Sequence, residues 1–327
     1  MNIKTGILRE LKKTKEYISG QALCEKFGVS RTAVWKVINQ LKEEGYDIAS
    51  VTNKGYILNE RPDILSTCEI ESELEGGFVT NILYYDEIDS TNTKAKLLGE
   101  EGAPTGTLVV SDCQLTGKGR RGKSFDSPAG QSIYMTILLR PDIEPYKASM
   151  LTIISAMAVR NALEEVCGIK GGIKWPNDIV VQGKKLCGIL TEMSAELMQV
   201  NYVVVGIGIN VNNDDMPQEL SEVAISAKMI TGRKWKRSSI IARVMHWFGI
   251  YYDRFMQTKD LSGIRDEYNS YLINYNDEIV VIKEKDSYSA IARGLAEDGE
   301  LIIERDGHLE KIMSGEVSVR GVYGYGR

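Results

Sequence analysis

Residues 107–139 read TLVVSDCQLTGKGRRGKSFDSPAGQSIYMTILL: an apolar run, a basic glycine-rich loop, and a second apolar run. Within it, Gly117-x-x-x-x-Gly122-Lys123-Ser124 matches the P-loop pattern, and Gly117-x-Gly119-x-x-Gly122 matches the dinucleotide fingerprint. Both patterns need a strand before and a helix after, because the helix N-terminus binds the phosphate. The strand is present as TLVVSDCQ (107–114), but Pro128 and Gly130 break SFDSPAGQS before any helix can form. No acidic residue stands at a strand end about twenty residues on, as ribose binding requires. That region reads LLRPDIEP, a turn. The segment is therefore strand, loop, strand, and both nucleotide folds are rejected. Three glycines and the cations Lys118, Arg120, Arg121 and Lys123 remain. Glycines let backbone N–H groups approach a ligand, and the cations supply countercharge to a polyphosphate. Like charges this close repel, so the loop is expected to move freely until an anion orders it. Taken alone, a solvated loop or a nucleic-acid patch has the same composition.

Outward from this loop, the pattern alternates from a linker candidate, NERPDILS (59–66), to about residue 275. Further strands are expected at NILYYDEI (81–88), SIYMTILL (132–139), GGIKWPNDIVV (171–181), KKLCGILTEMS (184–194) and NYVVVGIGINV (201–211). Helices are expected at about 92–100, 147–166, 219–231, 238–257 and 261–271. Ile241, Val244, Met245, Phe248, Tyr252 and Phe255 form a helical stripe that reads as core. Several strands follow one another through hairpin-length loops, which predicts an α+β class with a mixed sheet. After residue 276, EIVVIKE (278–284), YSAIARGLA (288–296), ELIIER (300–305) and LEKIMSGEVSV (309–319) alternate as short strands. Asp298-Gly299 and Asp306-Gly307 mark hairpin turns, so a small β-barrel of SH3 type is expected.

The first sixty residues predict three helices and a hairpin. Ile3 to Lys13 places Ile7, Leu8 and Leu11 on one face; Gly20 to Phe27 turns Leu23 and Phe27 inward. Gly28 permits a tight turn, Val29 plugs the core and Ser30 caps a third helix, Arg31 to Glu43, with Val34, Ile38 and Leu41 inward. YDIASV (46–51) and KGYIL (54–58) flank a turn tipped by Lys54. This is the spacing of a winged helix-turn-helix. Arg31, Thr32, Trp35, Lys36 and Asn39 face outward from the third helix, types suited to phosphate contact and base-edge readout. A helical protein-interaction module is the alternative.

Composition agrees. The chain has 327 residues, 43% hydrophobic and 26% charged, which suits two or three globular domains. Residues 1–60 carry a net charge of +3 and the remainder −8, so a polyanion contact is expected at the N-terminus. The longest charge-free apolar stretch, ASMLTIISAMAV (148–159), falls short of the ~20 residues a bilayer needs. No secretory signal is evident. Five scattered cysteines fit reduced thiols in a cytosol and argue against a cysteine zinc site. With two histidines, a Ser–His–Asp triad or a histidine-rich metal centre is nearly excluded by supply. A cytoplasmic protein without a bound structural metal is expected.

Four further motifs join the loop in chain order. DSTN (89–92) offers hydroxyls and an amide, KWPND (174–178) a cation, an amide and a carboxylate, KKLCGIL (184–190) a lysine pair, and GIGIN (206–210) a strand ending in an amide. Each is weak singly: Trp175 fits a core, and Asn177 or Asn210 can cap turns. Together, over essentially the whole chain, they resemble the biotin protein ligases, in the bifunctional bacterial form that is also a biotin-operon repressor. SRTAVWK (30–36) is similar to the recognition helix of those repressors.

The resemblance implies a winged helix-turn-helix over 1–62, a class II synthetase-like biotin/lipoate ligase domain over 68–272, and an SH3-like barrel over 276–327. It implies that biotin and ATP form biotinyl-5′-adenylate, and that a lysine of a biotin carboxyl carrier protein then takes the biotinyl group. Ser90, Thr91, Asn92 and Gln114 would bind the ureido head and nearby ligand atoms, and Lys118, Gly119 and Arg120 would cover the ligand. Lys185 would stabilise charge at the carboxylate and phosphate, and Asp178 would help deprotonate the acceptor lysine. Gly117, Arg121, Gly122, Phe125, Lys174, Asn177 and Asn210 would serve ATP, with Mg²⁺ held mostly by ATP oxygens and water. Ser30, Arg31, Thr32, Trp35, Lys36, Asn39 and Lys54 would meet operator DNA. The adenylate would act as corepressor, promoting a homodimer on a palindromic site. The family usually carries arginine where Lys118 and Lys123 stand, and often a tryptophan where this chain has Ser124-Phe125. These departures keep the charge and the reaction class and bear on how tightly adenylate is held. The rival readings are a lipoate ligase of the same fold, a ligand-sensing repressor without catalysis, and a ligase whose N-terminal module no longer binds DNA.

Overall fold

A computed structural model describes residues 2–283, 286–315 and 317–321. Residues 322–327, the last part of the expected barrel, and Glu284 and Glu316 within its expected strands lie outside the described residues. The chain divides into two compact units, residues 1–75 with 236–242, and 76–235 with 243–327.

In the first unit, α1 (Ile3–Lys13), α2 (Gly20–Phe27) and α3 (Arg31–Glu43) precede an antiparallel hairpin of β1 (Asp47–Val51) and β2 (Gly55–Glu60). Local chemistry sets the boundaries. The Ser19 and Ser30 hydroxyls accept from Ala22 N and Ala33 N, and Gly28 ends α2 at φ +64°. Ile7, Leu8, Leu11, Leu23, Val34, Ile38 and Leu41 make the core, with Tyr46, Ile48 and Leu58 from the hairpin. Ile18 bridges Tyr56, and a Cβ on Gly55 would sit 2.0 Å from the Ile18 carbonyl oxygen, so only glycine fits there. Beyond the linker candidate the chain forms α4 (Thr67–Glu73), which sequence periodicity did not announce. Its only buried apolar residue is Ile70. It is held instead by charge: Lys12 Nζ lies 2.7 Å from Glu69 and 2.6 Å from Glu73, and the Tyr46 hydroxyl donates to Glu69 at 2.6 Å.

The second unit centres on a seven-stranded mixed sheet. Its strands are β3 (Asn81–Ile88), β4 (Thr107–Gln114), β5 (Ile133–Leu139), β6 (Gly172–Lys174), β7 (Asp178–Val181), β8 (Lys184–Ala195) and β9 (Val200–Ile209). Their order is β3-β4-β5-β9-β8-β7-β6, with only the β3/β4 pair parallel. Register sorts the faces. Val109, Thr136, Leu138, Val204, Gly206, Gly208, Gly188, Leu190 and Glu192 share one face, where α5 (Thr91–Glu100) packs. The opposite face carries Ile189, Thr191, Val205 and Ile207 toward α6 (Met150–Cys167), with Thr152 and Thr191 hydroxyls 2.7 Å apart. The remaining helices are α7 (Ala227–Thr231), α8 (Arg237–Thr258) and α9 (Arg265–Tyr271).

Four expectations need correction. The helix expected at 219–231 shrinks to α7, because residues 223–225 are drawn alongside Lys185, whose N–H donates to Val223 and whose carbonyl accepts from Ile225. The strand expected at 171–181 is a hairpin, β6 and β7, broken at Trp175-Pro176, where proline offers no ladder donor. The helix expected from 261 starts at Arg265, after a turn. The final sheet, ordered β13-β12-β11-β10-β14, holds β10 (Glu278–Lys283), β11 (Asp286–Leu295), β12 (Leu301–Arg305), β13 (His308–Ile312) and β14 (Ser318–Gly321), all antiparallel. The expected strand 309–319 is thus two strands on opposite edges, parted at Gly315, φ +118°. Asp306 and Gly307, both at positive φ, turn β12 into β13 as expected. Among the described residues no helix is long and apolar enough to cross a membrane.

Candidate active site

The α5 face of the mixed sheet opens into a cavity of about 370 Å³. Its existence follows from strand alternation: the residues pointing into it from β8 and β9 include Gly188, Gly206 and Gly208. A Cβ on Gly206 would fall 2.0 Å from Asn92 Oδ1, and one on Gly208 would fall 2.7 Å from the Phe125 ring.

DSTN sits where β3 gives way to α5. The Thr91 N–H and hydroxyl donate to Gln114 Oε1 at 2.9 and 3.1 Å, and Gln114 Nε2 donates to Ser127 at 3.1 Å. Thr136 lies 2.8 Å from the Thr91 hydroxyl and donates to Asn92 Oδ1 at 2.7 Å. The Asn92 amide in turn donates to Glu192 at 2.8 Å and to the Leu190 carbonyl at 3.3 Å. Burial alone would raise the Glu192 carboxyl, but Lys96, at 2.7 Å, and Asn92 hold it below the usual carboxylate range. Thr91 and Asn92 are thus committed to the protein, whereas Ser90, buried on the cavity wall, makes no side-chain cap to α5.

The glycine loop closes as a small hairpin: Gly119 N–H donates to Lys123 O, Phe125 N–H to Gly117 O, and Lys118 bridges Ser124. No helix follows, so the rejection of both nucleotide motifs stands. Arg120 donates to Asn177 Oδ1 at 2.7 Å, Lys118 to Thr93 at 3.1 Å, and Arg121 to the Gly315 carbonyl at 3.3 Å. Across the cavity Lys185 Nζ meets Asp178 Oδ1 at 2.6 Å, and the Asn177 amide donates to the same oxygen at 2.9 Å. Burial lowers the Lys174 ammonium to about 8, against the pull of Asp178 and with the push of positive Lys185, Arg320 and Lys123. Cys187 is fully buried and its thiol is pushed up, so it offers no nucleophile. No group of three or more His, Cys, Asp or Glu able to hold a metal occurs among the described residues.

The cavity therefore gathers Ser90, Thr91, Asn92, Gln114, Lys118, Gly119, Arg120, Arg121, Phe125, Lys174, Asn177, Asp178 and Lys185. It does not gather Gly117, Gly122 or Asn210. Gly117 lies where a Cβ would strike the Phe125 carbonyl, and Gly122 turns the loop at φ +72°. The Asn210 amide turns away to donate to the Ile225 carbonyl, because the chain at 225–227 needs that anchor. Sequence reading missed Trp175 as a wall, its indole donating to the Gly299 carbonyl at 3.1 Å, and missed Arg320 from β14. Nothing in the sequence around Arg320 marks it. In the first unit, Ser30, Arg31, Thr32, Trp35 and Lys36 are exposed on or beside α3, Asn39 is partly exposed, and Lys54 is exposed in the turn, 5.9 Å above the Tyr17 ring.

Three domain families match the chain: an HTH domain at residues 4–57, the biotin/lipoate A/B protein ligase family at 84–210, and the biotin protein ligase C-terminal domain at 276–320. The chain is similar to the bifunctional ligase/repressor BirA of Bacillus spizizenii, 39% identical over 93% of this chain and 94% of that one. It is 30% identical to the protein of the same name from Escherichia coli, again over 93% and 94%. The biotin protein ligase from Aquifex aeolicus in complex with biotin and ATP superposes with a TM-score of 0.65 at 30% identity, covering 74% of this chain and 99% of that one.

Proposed function

The chain belongs to the family of bifunctional ligase/repressors, and on that premise we propose that it joins biotin to a lysine of a biotin carboxyl carrier protein, using ATP, and represses transcription when it holds the intermediate. The observation that carries this reading is the convergence of Lys185, Arg120 and Lys174 with the hydrogen-bonding set around Ser90 and Gln114 on one cavity.

In the first step biotin's carboxylate oxygen bonds to the α-phosphorus of ATP while the bond to the β-phosphate oxygen breaks, releasing pyrophosphate. The nucleophile is already ionised, so no base is needed. An anion attacks an anion, so neutralisation of charge dominates the barrier. Lys185 and Arg120 supply it at the reacting centre, with Lys174, Arg121 and Arg320 toward the phosphates. Ser90 and the second N–H of Gln114 meet the ureido head. Trp175 and Leu190 give an apolar wall for the alkyl chain, and the Phe125 ring offers a face to the adenine. Asp178, the one carboxylate on the cavity wall among the described residues, would help hold Mg²⁺ arriving with ATP, which would supply further positive charge against the phosphates. In the second step the acceptor amine attacks the acyl carbon, AMP leaves, and Asp178 takes the proton.

The same adenylate is the corepressor. It orders the glycine loop, two chains pair, and two copies of α3 reach a palindromic operator. The protein acts in the cytoplasm. Incubation with biotin, ATP, Mg²⁺ and a carboxyl-carrier domain should add one biotinyl group to the carrier, read by mass spectrometry. Modification by lipoate in place of biotin would end this reading.

Lys174 makes the chemistry pH-dependent in one direction. An arriving polyanion favours the charged ammonium, so binding takes up a proton wherever the free lysine is neutral. ATP affinity should be flat below pH 8 and fall as pH rises through the value of about 8, by up to about tenfold per unit. Titration calorimetry in buffers of different ionisation enthalpy should register proton uptake at pH 8.5. Lys174→Met should abolish that uptake, and uptake persisting in the variant would remove the assignment.

A further inference from the structure

Glu192 does not line the ligand cavity; it lies on the wall of a neighbouring one, yet its carboxylate is the outer anchor of a hydrogen-bond chain running through the first cavity's wall. The links are Lys96 to Glu192, Asn92 to Glu192, Thr136 to Asn92, Thr136 to the Thr91 hydroxyl, the Thr91 N–H to Gln114, and Gln114 to Ser127. A primary amide is nearly symmetric in shape, and only its partners decide which end faces which way. A carboxylate only accepts. Were Asn92 reversed, its oxygen would face the Glu192 oxygen that Nδ2 now meets at 2.8 Å. Glu192, at the shorter distance, and the Leu190 carbonyl at 3.3 Å therefore fix the sense of Asn92, and Lys96 fixes Glu192. With Asn92 Oδ1 turned inward, the single Thr136 hydrogen goes to Asn92, and the Thr136 oxygen rests 2.8 Å from the Thr91 hydroxyl. The Thr91 N–H donates to Gln114 Oε1, so the Gln114 nitrogen points toward Ser127 and the cavity.

We propose that Glu192 is a positioning residue for biotin: by holding Asn92 it fixes, through Thr136 and Thr91, where the cavity wall places Gln114 for the ureido head. This rests on the biotin reading above and adds to it a residue that touches no ligand. Its effect belongs to biotin recognition alone, since the chain of bonds does not include Lys185, Arg120 or Lys174.

The test is steady-state kinetics of biotin-dependent pyrophosphate exchange on full-length protein, varying biotin and ATP separately. Glu192→Ala should raise KM for biotin about tenfold, the cost of misdirecting one buried amide. KM for ATP and kcat should stay within about twofold. Glu192→Gln, whose carbonyl still accepts from Asn92, should recover biotin KM to within about threefold. Thr136→Val, which acts on the other end of the same amide, should raise biotin KM in the same way, and its combination with Glu192→Ala should be non-additive. Should Glu192→Ala not fold, the glutamine and valine variants decide the matter alone. Unchanged biotin KM in Glu192→Ala and Thr136→Val, equal rises in both KM values, or a glutamine variant as impaired as alanine would each overturn the role. Absence of biotin-dependent exchange in the wild type is a separate outcome: it defeats the ligase reading, and this role with it, before any variant is compared.

Discussion

Lys185→Ala is expected to slow adenylate formation by about a hundred- to a thousand-fold, the loss seen when one preorganised charge donor is removed from a site of developing negative charge. The lysine is well placed to matter. Its ammonium sits 2.6 Å from Asp178, and Gly188 leaves it the room it occupies: a Cβ there would lie 2.7 Å from Nζ. Folding should survive, because Asp178 keeps the Asn177 amide as a partner. Lys185→Arg should restore only part of the rate, since the planar guanidinium cannot occupy the space of a compact ammonium. Pyrophosphate exchange reports the first step, and a thermal melt separates catalysis from stability. A rate within tenfold of wild type, with an unchanged melt, would strip Lys185 of its role.

The second large effect concerns DNA. Arg31, Lys36 and Lys54 are exposed on α3 and the adjoining turn. The proposed pair of chains would bring about six cations to the phosphates, and operator affinity should fall about a thousand-fold between about 50 and 200 mM salt. Replacing Lys36 and Lys54 by alanine removes four of them from the pair and should flatten the log–log slope by about four units. Trp35, 55% exposed on the same face, should act differently: Trp35→Ala should weaken binding while leaving the salt slope intact, because it offers apolar contact to base edges. Retention of operator DNA should also require biotin and ATP. Binding indifferent to ligand, or a slope unmoved by the double substitution, would contradict the regulatory scheme.

How much of this was legible in the sequence depended on where the stabilising partner lies. The boundaries of α1, α2 and α3 were readable because their determinants are local: Ser19 and Ser30 cap, Gly28 stops. The sheet was readable because its strands alternate and because SFDSPAGQS cannot be a helix. Helix α4 was not, since its acidic surface is satisfied by Lys12, a partner 57 residues away from Glu69. The overlong helix at 219–231 failed for the same reason, its first half being claimed by Lys185. At the site, the motifs placed thirteen residues on one cavity, because each motif sits at a strand end on the same side of the sheet. Arg320 and Glu192 were invisible: one arrives from the last strand of the chain, and the other touches the cavity only through Asn92. Asn210 follows the other reading its sequence allowed, its amide serving the backbone at Ile225, because an amide at a strand end suits a turn as readily as a nucleotide.

Gly188, Gly206 and Gly208 bear on the protein's descent. Any side chain at these positions would collide with Lys185, Asn92 or Phe125, groups at work and not idle filler. A lineage drifting toward a different acid cannot deepen or tilt the bed of this pocket by small steps without displacing one of them. It must remodel the rim, where the loop and the final sheet hang over the ligand, so novelty in this enzyme should accumulate at the lip and spare the bottom.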